Sequence, residues 1–285
     1  MPKTIIVTSG PTNEKIDDVM QITNMSTGNL GAKIADVLAR RDPKAVIYYI
    51  SVKLAKKPVS AGDETNPVRL IEVASADDML REMTRLLTEN RVDAVIHTAA
   101  VGDYKADYAI RGEDLAKEIA SAVMTCSADE EEIAGRVLDV IKNPGTLQDQ
   151  NSKISSYEPN LIVKLGLTPK IISTIKTTSP DTMLIACKLL DHVSKRRLFD
   201  VASALRRKNR ADYVIANDLS LIGKGLHPAM IVGPGKTPDE DGIAVECRTK
   251  DEIAQTVAGL VYGGMDYVAL EPKPAPAADE GWKLR

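Results

Sequence analysis

The segment 22-ITNMSTGNLGAK-33 closely follows the apolar run 4-TIIVTSGPT-12. It supplies the mouth of a helical pattern, 29-NLGAKIADVLARR-41. A β-branched run that stops at a glycine, followed by a glycine-rich helix start, reads as a β–α unit with a ligand edge. Gly10 lets the backbone turn tightly after Ser9, at the end of the run. Ser26 or Thr27 can cap the helix. Gly28 and Gly31 keep side chains away from its first turn, where free N–H groups and the helix dipole favour an anion. A well-capped helix without a ligand would be spelled the same way, and neither GxGxxG nor the Walker pattern is present. Asn24 is usually a turn residue type, but here it can point an amide into the same space.

Outward from this unit, short apolar runs recur at 45-AVIYYIS-51, 68-VRLIEV-73, 93-DAVIHTAA-100, 160-NLIVKLG-166, 182-TMLIACKLL-190, 212-DYVIAND-218 and 229-AMIVG-233. Several are apolar at consecutive positions, as in strands covered on both faces. Helical periodicity lies between many of them, most clearly at 76–90, 194–209 and 250–261. Alternation of this kind predicts an α/β fold, Rossmann-like, with a mainly parallel sheet and helices on both faces. Residues 1–264 read as a single domain. An excursion at 107–151 holds two charged helical patterns, 113-EDLAKEIASAVM-124 and 129-DEEEIAGRVLDVIK-142. Their apolar stripes must pack somewhere, either back on the same sheet or on a partner subunit, and the second is favoured. The Pro- and Ala-rich tail at 265–285, with Trp282, is expected to be disordered.

The 285 residues carry a net charge of −3, and aromatics make up only 4 %, so no basic stripe or stacking platform argues for nucleic acid. No apolar run approaches a membrane span. Cys126, Cys187 and Cys247 are widely spaced and odd in number, which fits reduced thiols in the cytoplasm.

Further polar groups punctuate the strand ends. Ala99, Ala100 and Gly102 permit close approach, and Asp103 and Lys105 follow at once. Ala186 and Lys188 lie in 186-ACKLL-190, where the lysine either lines a site mouth or snorkels outward. Asn217 and Asp218 close another run and read otherwise as a turn. In a parallel sheet these groups cluster along one edge. His97 reads as a packed core histidine, and the cations of 206-RRKNR-210 suit a helix C-terminus.

Taken in order, TSGPT, ITNMSTGNLG, AAVGDY, KISSYEPNLIV, LIACKLL and DYVIAND resemble the phosphopantothenate–cysteine ligases (phosphopantothenoylcysteine synthetases) of coenzyme A biosynthesis, in their stand-alone bacterial form. The resemblance implies a homodimer that joins 4′-phosphopantothenate and L-cysteine through an acyl-nucleotide made from CTP or ATP, with Mg²⁺ balancing phosphate charge. It implies catalytic roles for Asn24, as the donor to the acyl-nucleotide, and for Lys188 and Lys208. Nucleotide binding would fall to Ser9, Gly10, Ser26, Thr27, Gly28, Ala100, Asp103, Ala186, Asn217 and Asp218. Many members carry an arginine four residues before the Asn, where this chain has Met20. Lys188 is a candidate for the missing cation, and Arg206 and Lys208 are the two candidates for a family lysine. The competing readings are an NAD(P)-dependent reductase on a similar sheet and a non-catalytic nucleotide-binding dimer.

Overall fold

The computed structural model describes residues 2–61, 67–124, 129–235, 240–263, 273 and 275–277. The chain divides into two compact units, one of Met1–Thr12, Asn24–Val101 and Lys170–Arg285, the other of Asn13–Thr23 and Gly102–Pro169.

Among the described residues the first unit holds an eight-stranded sheet. Its strands are β1 (Thr4–Ser9), β4 (Val46–Ser51), β5 (Val68–Glu72), β6 (Ala94–His97), β9 (Met183–Leu190), β10 (Tyr213–Asp218), β11 (Ala229–Pro234) and β12 (Asp241–Cys247). The order is β12-β11-β10-β9-β6-β1-β4-β5. Neighbours from β10 through β5 run parallel, and β11 is antiparallel to both β10 and β12. The expected Rossmann-like architecture is therefore present. From β1 the chain goes first to β4 on one side and later to β6 on the other, so the order reverses between β1 and β6. Ligands of open α/β sheets bind beyond the carboxyl ends of strands at such a reversal.

Helices cover both faces. Helix α1 (Asn29–Arg41) buries Ile34, Ala35, Val37 and Leu38, and shares a core with Ile253, Val257 and Val261 of α7 (Lys250–Tyr262) and with Ile5 and Val7 of β1. On the opposite face α2 (Ala76–Glu89), α5 (Ile171–Thr178) and α6 (Lys195–Asn209) contribute Met79, Met83, Ile175, Leu198 and Phe199 to a second core. Each fully buried Leu, Ile or Phe is worth about 1.5–3 kcal/mol. Ser75 and Asp78 form a reciprocal capping box that starts α2.

The second unit holds two small ribbons, β2 (Asn13–Lys15) with β3 (Gln21–Thr23) and β7 (Tyr104–Arg111) with β8 (Leu161–Leu167), both antiparallel. Helices α3 (Gly112–Val123) and α4 (Glu130–Lys142) form as their periodicity predicts. Ile119 and Val140 pack against Tyr108, Ile110 and Leu115, so these helices cover their own ribbon. The run at 160–166 does not join the main sheet. As β8 it pairs, among the described residues, only with β7, and none of its residues is buried. The expected disordered tail and Trp282 lie outside the described residues, apart from Lys273 and 275–277. Lys273 pairs with Ile243 of β12. Cys126 also lies outside the described residues.

Candidate functional site at the strand reversal

The ends of β1 and β6 are stitched together by backbone and side chain. Ala100 N donates to Gly10 O at 2.9 Å, and Thr98 Oγ1 donates to Thr8 O at 2.6 Å. Gly10 (φ 77°) and Gly28 (φ 76°) are both left-handed, which glycine adopts without strain. Both are tightly enclosed: a Cβ on Gly10 would lie 2.5 Å from the Ala55 methyl, and one on Gly28 would lie 3.2 Å from Ser9 Oγ. A Cβ on Gly31 would meet Ser9 Oγ at 2.4 Å. Ser9 is buried and donates its hydroxyl to Gly28 O at 2.8 Å. The glycines thus let strand, loop and helix approach at one point.

The expected cap of α1 is corrected by this geometry. The N-cap is Gly28, and no side chain caps the helix. The hydroxyls of Ser26 and Thr27 instead accept long 3.4 Å contacts from Gly28 N and Asn29 N. A side-chain cap requires extended backbone at the cap residue, and left-handed Gly28 does not provide it. The first turn of α1 therefore presents its N–H groups without a strong side-chain acceptor.

Asn24 is exposed, and its Nδ2 donates to Ala100 O at 3.0 Å and Val101 O at 3.2 Å. Ser9, Gly10, Asn24, Ser26, Thr27, Gly28 and Ala100 are thus brought together as one hydrogen-bonded cluster.

The remaining candidates divide. Ala186 is wholly buried in β9, paired in register with His97 and Val214. Lys188 stands two residues further on, half-buried in the same strand, and its side chain has no hydrogen bond or ion pair among the described residues. Asn217 is buried and gives its amide to Pro228 O at 2.7 Å. Asp218 accepts from His192 N, Val193 N, Ser220 N and Ser220 Oγ, which together hold its carboxyl below the usual range against the opposing effect of burial. These two residues are occupied in shaping the loops after β9 and β10. Asp103 belongs to the second unit, where its carbonyl accepts from Thr168 N at 3.1 Å.

Lys208 is not part of the cluster. Helix α6 leaves the carboxyl end of β9 and returns to the amino end of β10, and Lys208 is exposed in its last turn. The length of a six-residue strand, roughly 20 Å, separates the two edges. Arg206 is likewise at the amino edge, ion-paired with Asp241. The helix-terminus reading of this basic run is the one its geometry supports.

His97 is buried beside Thr8 Oγ1, 2.8 Å away, and burial pushes it down to about 4, so it is a neutral core group. A reductase would bring Tyr and Lys four residues apart to a cofactor. Tyr49 and Lys53 have that spacing, but Tyr49 is fully buried with its hydroxyl on Lys56 O.

One cation was not singled out from sequence. In the second unit the Asp17 carboxylate accepts from Val19 N, Met20 N and Ile154 N, which holds it below its usual range. One side chain thereby sets Lys153 beside the turn that carries Met20. Lys153 is exposed and has no ion pair among the described residues. Only the motif KISSYEPNLIV marked this loop in the sequence.

Comparison with known proteins agrees with this architecture. Residues 1–137 match the family model described as DNA/pantothenate metabolism flavoprotein C-terminal domain. The chain is 30 % identical to the DNA/pantothenate metabolism flavoprotein from Streptococcus pneumoniae, covering 92 % of this chain and 99 % of that structure with a TM-score of 0.70. The crystal structure of the C-terminal domain of the coenzyme A biosynthesis bifunctional protein CoaBC shares the fold, with a TM-score of 0.58 at 21 % identity over 93 % of this chain and 96 % of that one. The CoaBC protein of Thermococcus kodakarensis is 26 % identical over 231 residues, which is 81 % of this chain and 45 % of that protein. The chain spans about half the length of the curated relatives it matches.

Proposed function

The chain belongs to the DNA/pantothenate metabolism flavoprotein C-terminal domain family, and from that premise we propose that it is a phosphopantothenate–cysteine ligase of coenzyme A biosynthesis. The observation that carries this reading is the uncapped start of α1 at the strand reversal, entered through Gly28 beside Ser9, Gly10 and Asn24. A carboxylate and a nucleotide triphosphate repel each other, so joining them needs fixed N–H donors and cations. In this reading the N–H groups of the first α1 turn hold phosphate, and Lys188 supplies positive charge. Within the second unit, Lys153 stands beside the turn where Met20 takes the place of the family's arginine. Asn24 rests on the Ala100 and Val101 carbonyls and exchanges one of these bonds for donation to the acyl-nucleotide.

The 4′-phosphopantothenate carboxylate attacks the α-phosphate of CTP or ATP. Pyrophosphate leaves. The cysteine amine then attacks the acyl carbon and displaces the nucleoside monophosphate. Mg²⁺ fits best as a companion of the triphosphate. Among the described residues no group of three His, Cys, Asp or Glu is assembled to hold a metal. Among the described residues no helix is long and apolar enough to cross a membrane. We assign the reaction to the cytoplasm, where its nucleotide and cysteine are available.

The active species in this proposal is a homodimer. Leu161, Val163, Leu165 and Leu167 alternate onto one face of β8, and none is buried, although a row of this composition ordinarily packs against something. A second copy is the occupant we assign to it.

The test is a pyrophosphate-release assay comparing CTP with ATP. Steady-state release that requires both 4′-phosphopantothenate and L-cysteine supports the ligase. Release without 4′-phosphopantothenate, multiple turnovers without L-cysteine, or no release with either nucleotide excludes it.

A further inference from the structure

Tyr49, in β4, is fully buried beneath the glycine loop and takes no part in the chemistry above. Its hydroxyl donates to Lys56 O at 2.7 Å, and the Ser9 hydroxyl is its second polar neighbour. Lys56 N in turn donates to Thr27 O at 3.0 Å, while Ser9 Oγ donates to Gly28 O at 2.8 Å. Through Lys56 the phenol therefore backs the Thr27 carbonyl, and the neighbouring Ser9 hydroxyl holds the Gly28 carbonyl. The loop carrying Lys56 is itself stapled to β4, because Lys57 Nζ donates to Ser51 Oγ and Val52 O, both at 2.7 Å. Burial pushes the phenol up to about 12, so it remains a proton donor.

In a trans peptide the C=O and N–H point in opposite directions. Thr27 O shares its peptide with Gly28 N–H, and Gly28 O shares its peptide with Asn29 N–H. Thr27 O is anchored on Lys56 N of the loop after β4, and Gly28 O on Ser9 Oγ of β1 and Ala32 N of α1 at 3.1 Å, so both N–H groups turn the other way, where they meet hydroxyls at 3.4 Å. We infer that Tyr49 is the positioning residue of the anion cradle: through Lys56 it fixes the 27–28 peptide plane, so that the Gly28 N–H stands ready for a ligand phosphate beside the helix-held Asn29 N–H. This inference deepens the proposed function and rests on it for the identity of the ligand. A cradle fixed before binding spends less binding energy on ordering backbone. The geometry also gives the burial of Tyr49 a purpose, since a phenylalanine would fill the same core volume without reaching Lys56.

Tyr49→Phe keeps the ring and removes the hydroxyl. Amide exchange across 27–31 should become faster in the ligand-free variant while exchange in β1 and β6 is unchanged. The nucleotide KM should rise roughly tenfold with kcat within about twofold, since a buried acceptor is left unmade. A hydroxyl with only a structural role would lower Tm and leave KM alone. Equal exchange at 27–31 in the two proteins, or an unaltered KM in the folded variant, overturns the inference. If Tyr49→Phe does not fold, Lys57→Met loosens the same loop from its outer side. It should raise exchange at 27–31, and unchanged exchange there has the same overturning force. The exchange arm needs no substrate. A wild-type protein that makes no phosphopantothenoylcysteine would sink the ligase reading while leaving the cradle measurement to stand or fall by itself.

Discussion

Asn24 Nδ2 lies 3.0 Å from the carbonyl oxygen of Ala100, a bond across 76 positions of sequence that ties the glycine loop to the end of β6. The same amide reaches Val101 O at 3.2 Å. Asn24 is exposed, so these bonds shape an edge rather than a core.

Asn24→Ala should therefore leave Tm close to wild type and still remove turnover. Loss of one donor aimed at developing charge costs ~10²–10³ in kcat. Near-wild-type ligation by the folded variant, measured as pyrophosphate release, would remove Asn24 from the chemistry.

Lys188 presents a different balance. A half-buried ammonium without a partner opposes folding, and a site that needs its charge retains it nonetheless. Lys188→Met should raise Tm by roughly 2 °C while the nucleotide KM rises about tenfold. Both shifts are required. A stabilised variant with unchanged KM would identify Lys188 as an idle surface cation.

Met20 occupies the position where many relatives of the resembled family carry arginine, and Asp17 draws the Lys153 loop to the same turn. Lys153→Met should reduce kcat/KM by at least about tenfold, and Lys153→Arg should restore most of the loss. A Lys153→Met protein with full activity would show that the turn needs no cation.

Much of the fold could be read from the chain. Every residue of β1 from Ile5 to Ser9 is buried, and Ile34 with Leu38 keeps helical spacing, so period and apolar run coincide. The ribbon of β7 and β8 was harder. YKADYAIR mixes charge with alanine and carries a register shift, so neither template recognises it. LIVKLGL has the composition of a strand covered on both faces, yet no residue of it is buried, because composition does not say what the covering layer is. At the site, Gly10 and Gly28 were legible as turn residues because a left-handed backbone favours glycine, whereas Asn24 was marked by the family resemblance. Lys208 was misplaced because its motif fixes a helix end, while the crossover from β9 to β10 decides which sheet edge that end occupies.

His97 predicts an acid sensitivity. Its folded value of about 4 lies below the unfolded 6.5. The unfolded chain therefore binds a proton that the folded protein refuses. Stability falls as pH drops from about 6.5 to about 4 and is affected little by this group above that window, with roughly 3 kcal/mol at stake. His227, also pushed down to about 4, acts in the same direction. Denaturant midpoints for His97→Gln should show a shallower decline across that window than wild type. Parallel curves would mean that His97 titrates normally in the folded protein.

The proposed homodimer puts the apolar row on β8 to the test. Leu165 is 42 % and Leu167 is 69 % exposed, and in register Leu167 faces Tyr104, itself 51 % exposed. The stripe of α3 and α4 is a weaker candidate, since Ile119 and Val140 already pack against Tyr108, Ile110 and Leu115 of the same subunit. A two-fold dimer uses one patch twice, so each substitution acts at two places. Replacing Leu165 and Leu167 together with Asp should shift the protein from dimer to monomer in analytical ultracentrifugation, with ligation falling alongside. Replacing Ile133 and Val137 of α4 with Asp should leave it dimeric, because those half-buried residues belong to the helix that covers its own ribbon. The reverse pattern, a dimer surviving the β8 pair and lost with the α4 pair, would move the interface to the helices. A wild-type protein that sediments as a monomer at all concentrations would leave the β8 row without its assigned occupant.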